Sequence, residues 1–354
     1  MKKELKEVYQ IATVFIGTIV GAGLASGKEI TQFFTSYGYK SFMGILICGI
    51  VYIFIGSLIS DISLKYNLKS YNDLIRTVSP GFLGMVTDIV TGFFLLSGSS
   101  IILAGSGALI HQYFGISNWI GTILMVILSI LILLKDTDGL IKINSFIVPS
   151  LVTVIVITFL LYILFYSNYK TIIYDLKVVP FEKTPWIISC LLYCGFNLLS
   201  CSGVLVPLSR EIKNKSSMRK GIFLGSIVLT VLCLFLNIML MLNKPYIYQY
   251  EIPLLYIANR FGKPLQIMIL IIIWFEMFST EVSNIYSISK TLEQKFNIPF
   301  NNCIFLVMLI AIPISKIGFS KLITILYPAF GVISLIFIVQ LIYFSIKPIN
   351  LKKY

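Results

Sequence analysis

The sequence predicts an all-α polytopic membrane protein with about ten transmembrane helices, on three observations. Of its 354 residues, 57% are hydrophobic and 12% charged, with a mean hydropathy of +0.92. A soluble domain carries about 25% charged residues, so this chain lacks the charge to cover a surface facing water. Apolar runs such as VIVITFLLYILF (154–165) and GIFLGSIVLTVLCLFLNIMLML (221–242) lie in segments that reach the ~20 residues needed to cross a hydrocarbon core. The basic residues fall between these runs, where they orient spans and do not form a nucleic-acid patch.

Taken in order, the spans are expected near 9–35, 41–62, 84–112, 117–134, 143–166, 184–207, 219–243, 264–290, 300–315 and 320–345. The charged start MKKELKEVYQ is followed by no short apolar stretch ending at a small-residue cleavage site, so the first segment is expected to stay as a span. The stretch 245–263, with Pro245 and Pro253, reads as an outer loop carrying a short surface helix. If the N-terminus is cytoplasmic, eighteen Lys and Arg residues fall on inner segments and nine on outer ones, among them Lys170, Lys177 and Lys183. That bias favours both termini in the cytoplasm. Residues 1–354 then form one membrane domain of two five-span repeats, about 9–166 and 184–345.

The first span, FIGTIVGAGLASGKEITQFF (15–34), places Gly21, Gly23 and Gly27 beside Lys28 and Glu29. The sixth, PWIISCLLYCGFNLLSCSGVLVPL (185–208), is interspersed with Gly195, Asn197, Ser200, Ser202 and Gly203. Gly-interrupted segments at corresponding places in oppositely oriented halves point to an inverted-repeat transporter with both helices broken. Irregular backbone inside a bilayer is tolerated only against protein or a water-filled cavity, and half-helix ends there suit a carboxylate and a cation. Gly21, Ala22, Gly23, Ser26, Gly27, Gly195, Asn197, Ser200 and Ser202 are therefore the candidate solute-binding residues. The competing reading makes the glycines, with Gly17, a small-residue face for close helix packing.

The eighth span, LQIMILIIIWFEMFSTEVSNIYSISK, lines up Glu276, Ser279, Thr280, Ser283, Ser287 and Lys290 within about 60° of one face, with Glu281 off it. Such a stripe is expected to face the bundle interior, where an ionisable side chain needs a partner or a task. Its hydroxyls serve as oxygen ligands for a small cation or as hydrogen-bonding glue between helices. Adjacent helical residues do not face each other, so Glu29 is expected to find its partner on another helix, and Lys28 is expected to meet Glu276.

The segment GTIVGAGLASGKEITQFF (17–34) resembles the first span of the YkvI-type bacterial membrane proteins, whose signature is close to G-A-G-F-A-S/T-G-Q-E-I-x-Q-F-F. The chain departs from it at Lys28, where the family has glutamine. The resemblance implies kinship with the amino acid–polyamine–organocation transporters of LeuT fold. It further implies a sodium site joining carbonyls of Gly17, Thr18 and onward to Gly21 with the hydroxyls of Ser279 and Thr280. Ser283, Glu276, Lys28 and Glu29, read from the residues themselves, complete the candidate cation or coupling groups, and Lys28 in place of glutamine sets this chain's coupling apart from the family's.

No G-x-x-x-x-G-K-[ST] loop, H-E-x-x-H or paired-cysteine zinc pattern occurs, which argues against an ATP-driven pump and against a membrane enzyme. Cys190, Cys194 and Cys201 share a helical face, a soft-metal pattern with no His or Met cluster beside it, so no metal is expected beyond a possible sodium ion. The expected partners are a small-molecule solute and the lipid bilayer, with no nucleic acid and no other cofactor. The sequence reading is a secondary active transporter of a small solute, an amino acid or a related amine or carboxylate, driven by sodium or protons. A membrane-embedded sensor of the same fold, binding without transporting, is the alternative.

Overall fold

The computed structural model describes residues 2–79, 81–135, 138–166 and 185–347. Lys170, Lys177 and Lys183, and Lys352 and Lys353 near the C-terminus, lie outside the described residues. Every regular element among the described residues is helical. The first span divides into α1 (Lys2–Ile19), α2 (Ala22–Ser26) and α3 (Lys28–Phe33). The first half continues with α4 (Lys40–Tyr66), α5 (Tyr71–Val78), α6 (Phe82–Phe114), α7 (Asn118–Lys135) and α8 (Asp138–Tyr166). The second half holds α9 (Trp186–Ile212), α10 (Lys215–Met241), α11 (Pro253–Ala258), α12 (Lys263–Phe296), α13 (Phe300–Ser315) and α14 (Phe319–Ile346).

Seven of these helices are long and apolar enough to cross a membrane, and Asn118–Leu134 and Phe300–Ser315 are shorter apolar helices. Together with the divided first segment, they are compatible with the ten expected spans. Large apolar side chains stay exposed along single faces, as with Leu46, Ile50 and Phe54 on α4 and Ile120, Ile123, Ile127 and Leu131 on α7. Spacings of three and four residues make each set one stripe, and stripes of this size on the outside of a bundle mark the surface that meets lipid.

Local chemistry sets the connections. Lys213 turns left-handed at φ 54 directly after α9, and the Asn214 side chain caps α10 by accepting from Ser216 N at 3.0 Å and Ser217 N at 3.3 Å. Helix α5, absent from the sequence reading, is started by a capping box. Asp73 N donates to Ser70 Oγ (3.3 Å), and Ser70 N donates to Asp73 Oδ2 (3.2 Å). Reciprocal capping of this kind satisfies two otherwise unpaired donors.

The helices pack in two groups. In one, α1 lies against α9 and α10, and α4 lies against the same two helices. In the other, α6, α7, α12 and α13 pack on one another. Helix α8 lies against α12, α10 and α1, and α14 against α9, α6 and α4. The short helix in the stretch 245–263 corrects the surface placement. Ile247, Ile252, Leu254, Leu255, Ile257 and Ala258 are all buried, so this segment is a plug packed on α10 and α12. Its helix Pro253–Ala258 is wholly apolar, while Gln249, Asn259, Arg260 and Lys263 on either side stay exposed.

Candidate functional site

The backbone leaves helical geometry twice in the first span. Val20 N still donates to Ile16 O at 2.8 Å, but Gly21 N turns back to Ile19 O at 3.0 Å. The i→i−4 ladder stops there, and the carbonyls of Gly17 and Thr18 receive no bond from a following turn. Gly21 is extended at φ −94°, ψ −170°. The second departure is Gly27, left-handed at φ 82°, a conformation glycine reaches without steric cost. Gly27 N closes α2 on Leu24 O (2.9 Å), and Gly27 O opens α3 by accepting from Thr31 N (3.0 Å). A Cβ built on Gly21 would meet no atom within 4 Å, so the first break borders open space.

Glu29 folds back from α3 over Gly23. A Cβ on Gly23 would overlap the Glu29 carboxyl, so any side chain there would push that carboxyl out of its place. The carboxyl is buried, with the residue 2% exposed, and the phenols of Tyr193 on α9 and Tyr327 on α14 lie beside it. Glu29 Oε2 and the Tyr193 hydroxyl are buried without a hydrogen-bond partner. The groups that other helices bring up to Glu29 are thus two phenols, not a cation, and they leave Oε2 without a hydrogen bond.

On α12, Glu276 and Glu281 are buried as well. Ser99 Oγ on α6 donates to Glu281 Oε1 at 2.6 Å, while Glu276 Oε2 and Glu281 Oε2 have no partner. Thr280 donates its hydroxyl to Glu276 O (3.0 Å) and Ser283 to Ser279 O (2.9 Å), so their protons stay on their own helix. Helix α2 packs on α12, and α3 packs on α9, α10 and α14. The divided segment therefore sits between the two helix groups.

Two expectations are corrected. The sixth span is one continuous helix, α9, in which Ser202 Oγ donates to Leu199 O (2.6 Å) and Asn197 Nδ2 to Tyr193 O (3.0 Å). Gly195, Asn197, Ser200 and Ser202 accordingly offer no unwound backbone to a solute. Gly195 serves packing: a Cβ there would lie 3.0 Å from Gly331 O on α14, and one on Gly331 2.8 Å from Leu192 O. Nor does Lys28 meet Glu276. Lys28 Nζ donates to Tyr250 O at 2.9 Å and lies in the field of Glu251, both in the plug before α11. The turn at Gly27 aims Lys28 at the plug.

The remaining candidates settle locally. Ser26 Oγ donates to Gly23 O (2.9 Å) and accepts from Lys28 N (3.2 Å). Thr18 Oγ1 donates to Val14 O (2.8 Å), and a Cβ on Gly17 would lie 2.8 Å from Val148 on α8, so Gly17 is also a packing glycine. Sequence reasoning missed Tyr193, Tyr327 and Ser99, whose neighbours lie more than a hundred residues away in the chain. Glu281 did carry a signal, a carboxylate inside an apolar span, but helical projection set it aside from the polar stripe.

No family model matches the chain. The membrane protein YkvI of Bacillus subtilis (strain 168) is 30% identical over 338 residues, spanning 96% of each chain. Among solved structures, a manganese transporter of Eremococcus coleocola matches at TM-score 0.69 and 17% identity, covering 96% of this chain and 79% of its own. MhsT in complex with L-phenylalanine matches at TM-score 0.67 and 15% identity, covering 93% and 88%. These proteins share the LeuT-like transporter fold expected from the first span. With that fold and with 30% identity along nearly the whole of both sequences, the chain belongs to the YkvI family of bacterial membrane proteins.

Proposed function

We propose that this protein is a secondary active transporter that carries a small amine-bearing solute, an amino acid or a related amine, by alternating access. The observation that carries the reading is the Glu29 carboxyl, folded over Gly23 beside the first break, with Oε2 buried and unpartnered. A carboxylate inside a membrane bundle calls for a cation, a proton or a task. Among the described residues no ion pair includes Glu29, Glu276 or Glu281. A solute ammonium supplies the missing charge and donors, and the phenols of Tyr193 and Tyr327 flank it. The L-phenylalanine complex of MhsT supports an amino acid as the solute class.

The packing supports a five-plus-five inverted repeat, and the excess of Lys and Arg on the inner segments supports both termini in the cytoplasm. Exchanging the first five spans for the second five preserves the helix pairs: α1 on α10 becomes α9 on α4, α8 on α12 becomes α14 on α6, and α6 on α13 becomes α12 on α7. Two helix groups related in this way suit rocking of one against the other around a fixed site. Coupling is to protons or sodium. The unpartnered oxygens of Glu276 and Glu281 support protons. The free carbonyls of Gly17 and Thr18 and the hydroxyl oxygens of Ser279, Thr280 and Ser283 support a sodium ion between α1 and α12.

The test is counterflow of labelled amino acids and amines in proteoliposomes, with imposed proton or sodium gradients. Accumulation of an amine-bearing solute that Glu29→Gln abolishes is the expected result. Specific binding without counterflow would overturn transport and leave the sensor reading.

A further inference from the structure

Three thiols from two helices meet at one buried point beside α3. Cys48 lies on α4, and Cys190 and Cys194 lie one turn apart on one face of α9. Cys194 Sγ donates to Cys48 Sγ at 3.0 Å, Cys48 and Cys190 Sγ are 3.4 Å apart, and all three sulfurs lie within 4.8 Å of one another. Cys190 Sγ also donates to Gly44 O at 3.2 Å. The three residues are buried and their thiols are free. Cys201, which the sequence placed on the same helical face, is not part of the cluster, and Cys48, 142 residues before Cys190, replaces it.

We propose that Cys48, Cys190 and Cys194 form a binding site for one soft monovalent metal ion of the Cu(I) class. The donor set selects the metal. Thiolate sulfur favours Cu(I) over the hard cations that oxygen ligands hold. A planar three-sulfur site with metal–sulfur bonds near 2.3 Å places its sulfurs roughly 4 Å apart. The sulfurs here stand at 3.0 Å, 3.4 Å and up to 4.8 Å, so closing on an ion requires shifts of an ångström or less. Zinc in a structural site takes four ligands, and no fourth Cys, His or carboxylate joins the cluster among the described residues. Each sulfur that binds as thiolate releases its proton, so uptake weakens as pH falls. The bound ion clamps α4 to α9 next to Tyr193, the phenol that flanks Glu29. The site stands apart from the transport reading and uses none of its residues.

The experiment uses the full chain in detergent, anaerobic and reduced with a phosphine. Cu(I) is offered in competition with a chromogenic Cu(I) chelator. One Cu(I) per chain is expected to leave the chelator, with a sulfur-to-copper charge-transfer absorption appearing in the protein. Cys48→Ser, Cys190→Ser and Cys194→Ser should each weaken uptake by at least about tenfold, the lower bound for disturbing even the outer supports of a metal site. Cys201→Ser and Cys303→Ser should bind as the parent does. Absence of the charge-transfer band in the folded parent protein overturns the proposal whatever the variants do. Undiminished uptake by the Cys48→Ser, Cys190→Ser, Cys194→Ser triple variant also overturns it.

Discussion

Residues 15–34 and 186–208 carry similar loads of glycine and serine inside apolar runs, and their backbones behave differently. The first leaves the helix at Val20–Gly21 and again at Gly27. The second runs as an unbroken helix through Gly195, Ser200, Ser202 and Gly203. They differ in what occupies the space a side chain would have filled at their buried glycines. At Gly195 in α9 that space is taken by a neighbouring helix, since Gly195 and Gly331 let α9 and α14 approach backbone to backbone, while a Cβ on Gly203 would meet no atom within 4 Å and that residue stays helical. In the first span it is taken by the chain's own Glu29 at Gly23 and by nothing at Gly21. Glycine thus serves close packing in one place and a fold-back over open space in the other. Polar load follows the same division. Ser202 and Asn197 return their hydrogen bonds to their own helix, whereas Glu29 Oε2 is left unpartnered.

The largest expected effect comes from placing a side chain at Gly23, just past the first break. Gly23→Leu should abolish solute binding while membrane insertion persists, and Gly23→Ala should already displace the Glu29 carboxyl. Gly21→Ala should keep both binding and thermal stability, because its backbone is extended and its surroundings are open. Equal losses at both positions in a ligand thermal-shift assay would erase the distinction drawn between them.

Next in size is Glu29→Gln, which keeps the shape of the side chain and removes its charge. Uptake of amine solutes should fall to background while the melting temperature holds or rises, since an unpaired buried charge is removed. A large drop in melting temperature would make Glu29 structural. On the packing side, Gly331→Ala should cost about 1–3 kcal/mol by overfilling a close helix contact. Solute selectivity should stay unchanged, so an altered solute ranking would place the Leu192–Gly195 face of α9 in the binding site as well.

Lys28→Gln and Glu276→Gln should change stability independently, the first lowering it because Lys28 is held by Tyr250 O and the second leaving it level or raised because Glu276 has no ion partner among the described residues. Strong coupling in the double-mutant cycle, beyond the ~0.5 kcal/mol scatter of independent sites, would restore a Lys28–Glu276 pair. The smallest effect belongs to the helical part of α1 that precedes the break. Lys220 Nζ donates to Glu4 Oε1 at 2.7 Å and holds that carboxyl below its ordinary value of 4.5. A depressed carboxylate stabilises the fold above its unfolded pKa, and the gain is lost as pH falls through the folded value. Glu4→Gln should therefore flatten slightly the acid side of the stability profile below pH 4.5 and do little at neutral pH. The pair is exposed and screened by salt, so a large neutral-pH effect would mean that α1 is held far less by its apolar packing than its burial suggests.

The membrane class, the order of the helices and the break in the first span were legible because they depend on composition and on neighbours in the chain. Apolar runs set the spans, and the cluster of Gly21, Gly23 and Gly27 beside Lys28 and Glu29 marks a backbone that a lone helix would not choose. Helix α5 was also readable, from Ser70 and Asp73 at capping-box spacing, although it was passed over. The plug at 245–263 shows the limit of local reading: its prolines announce irregular chain, but only contact with α10 and α12 buries it.

The sequence by itself determined a bilayer-embedded helical chain of the YkvI type, interrupted in its first span, because hydrophobic length and glycine placement act over a few residues. Tertiary structure alone decided that α9 stays whole and that Lys28 turns to Tyr250. It also decided that Glu29 faces Tyr193 and Tyr327, and that Cys48 joins Cys190 and Cys194. Each of these depends on which helix arrives opposite a given face. That is set by the packing of the whole bundle and leaves no trace in the spacing of residues along any one segment.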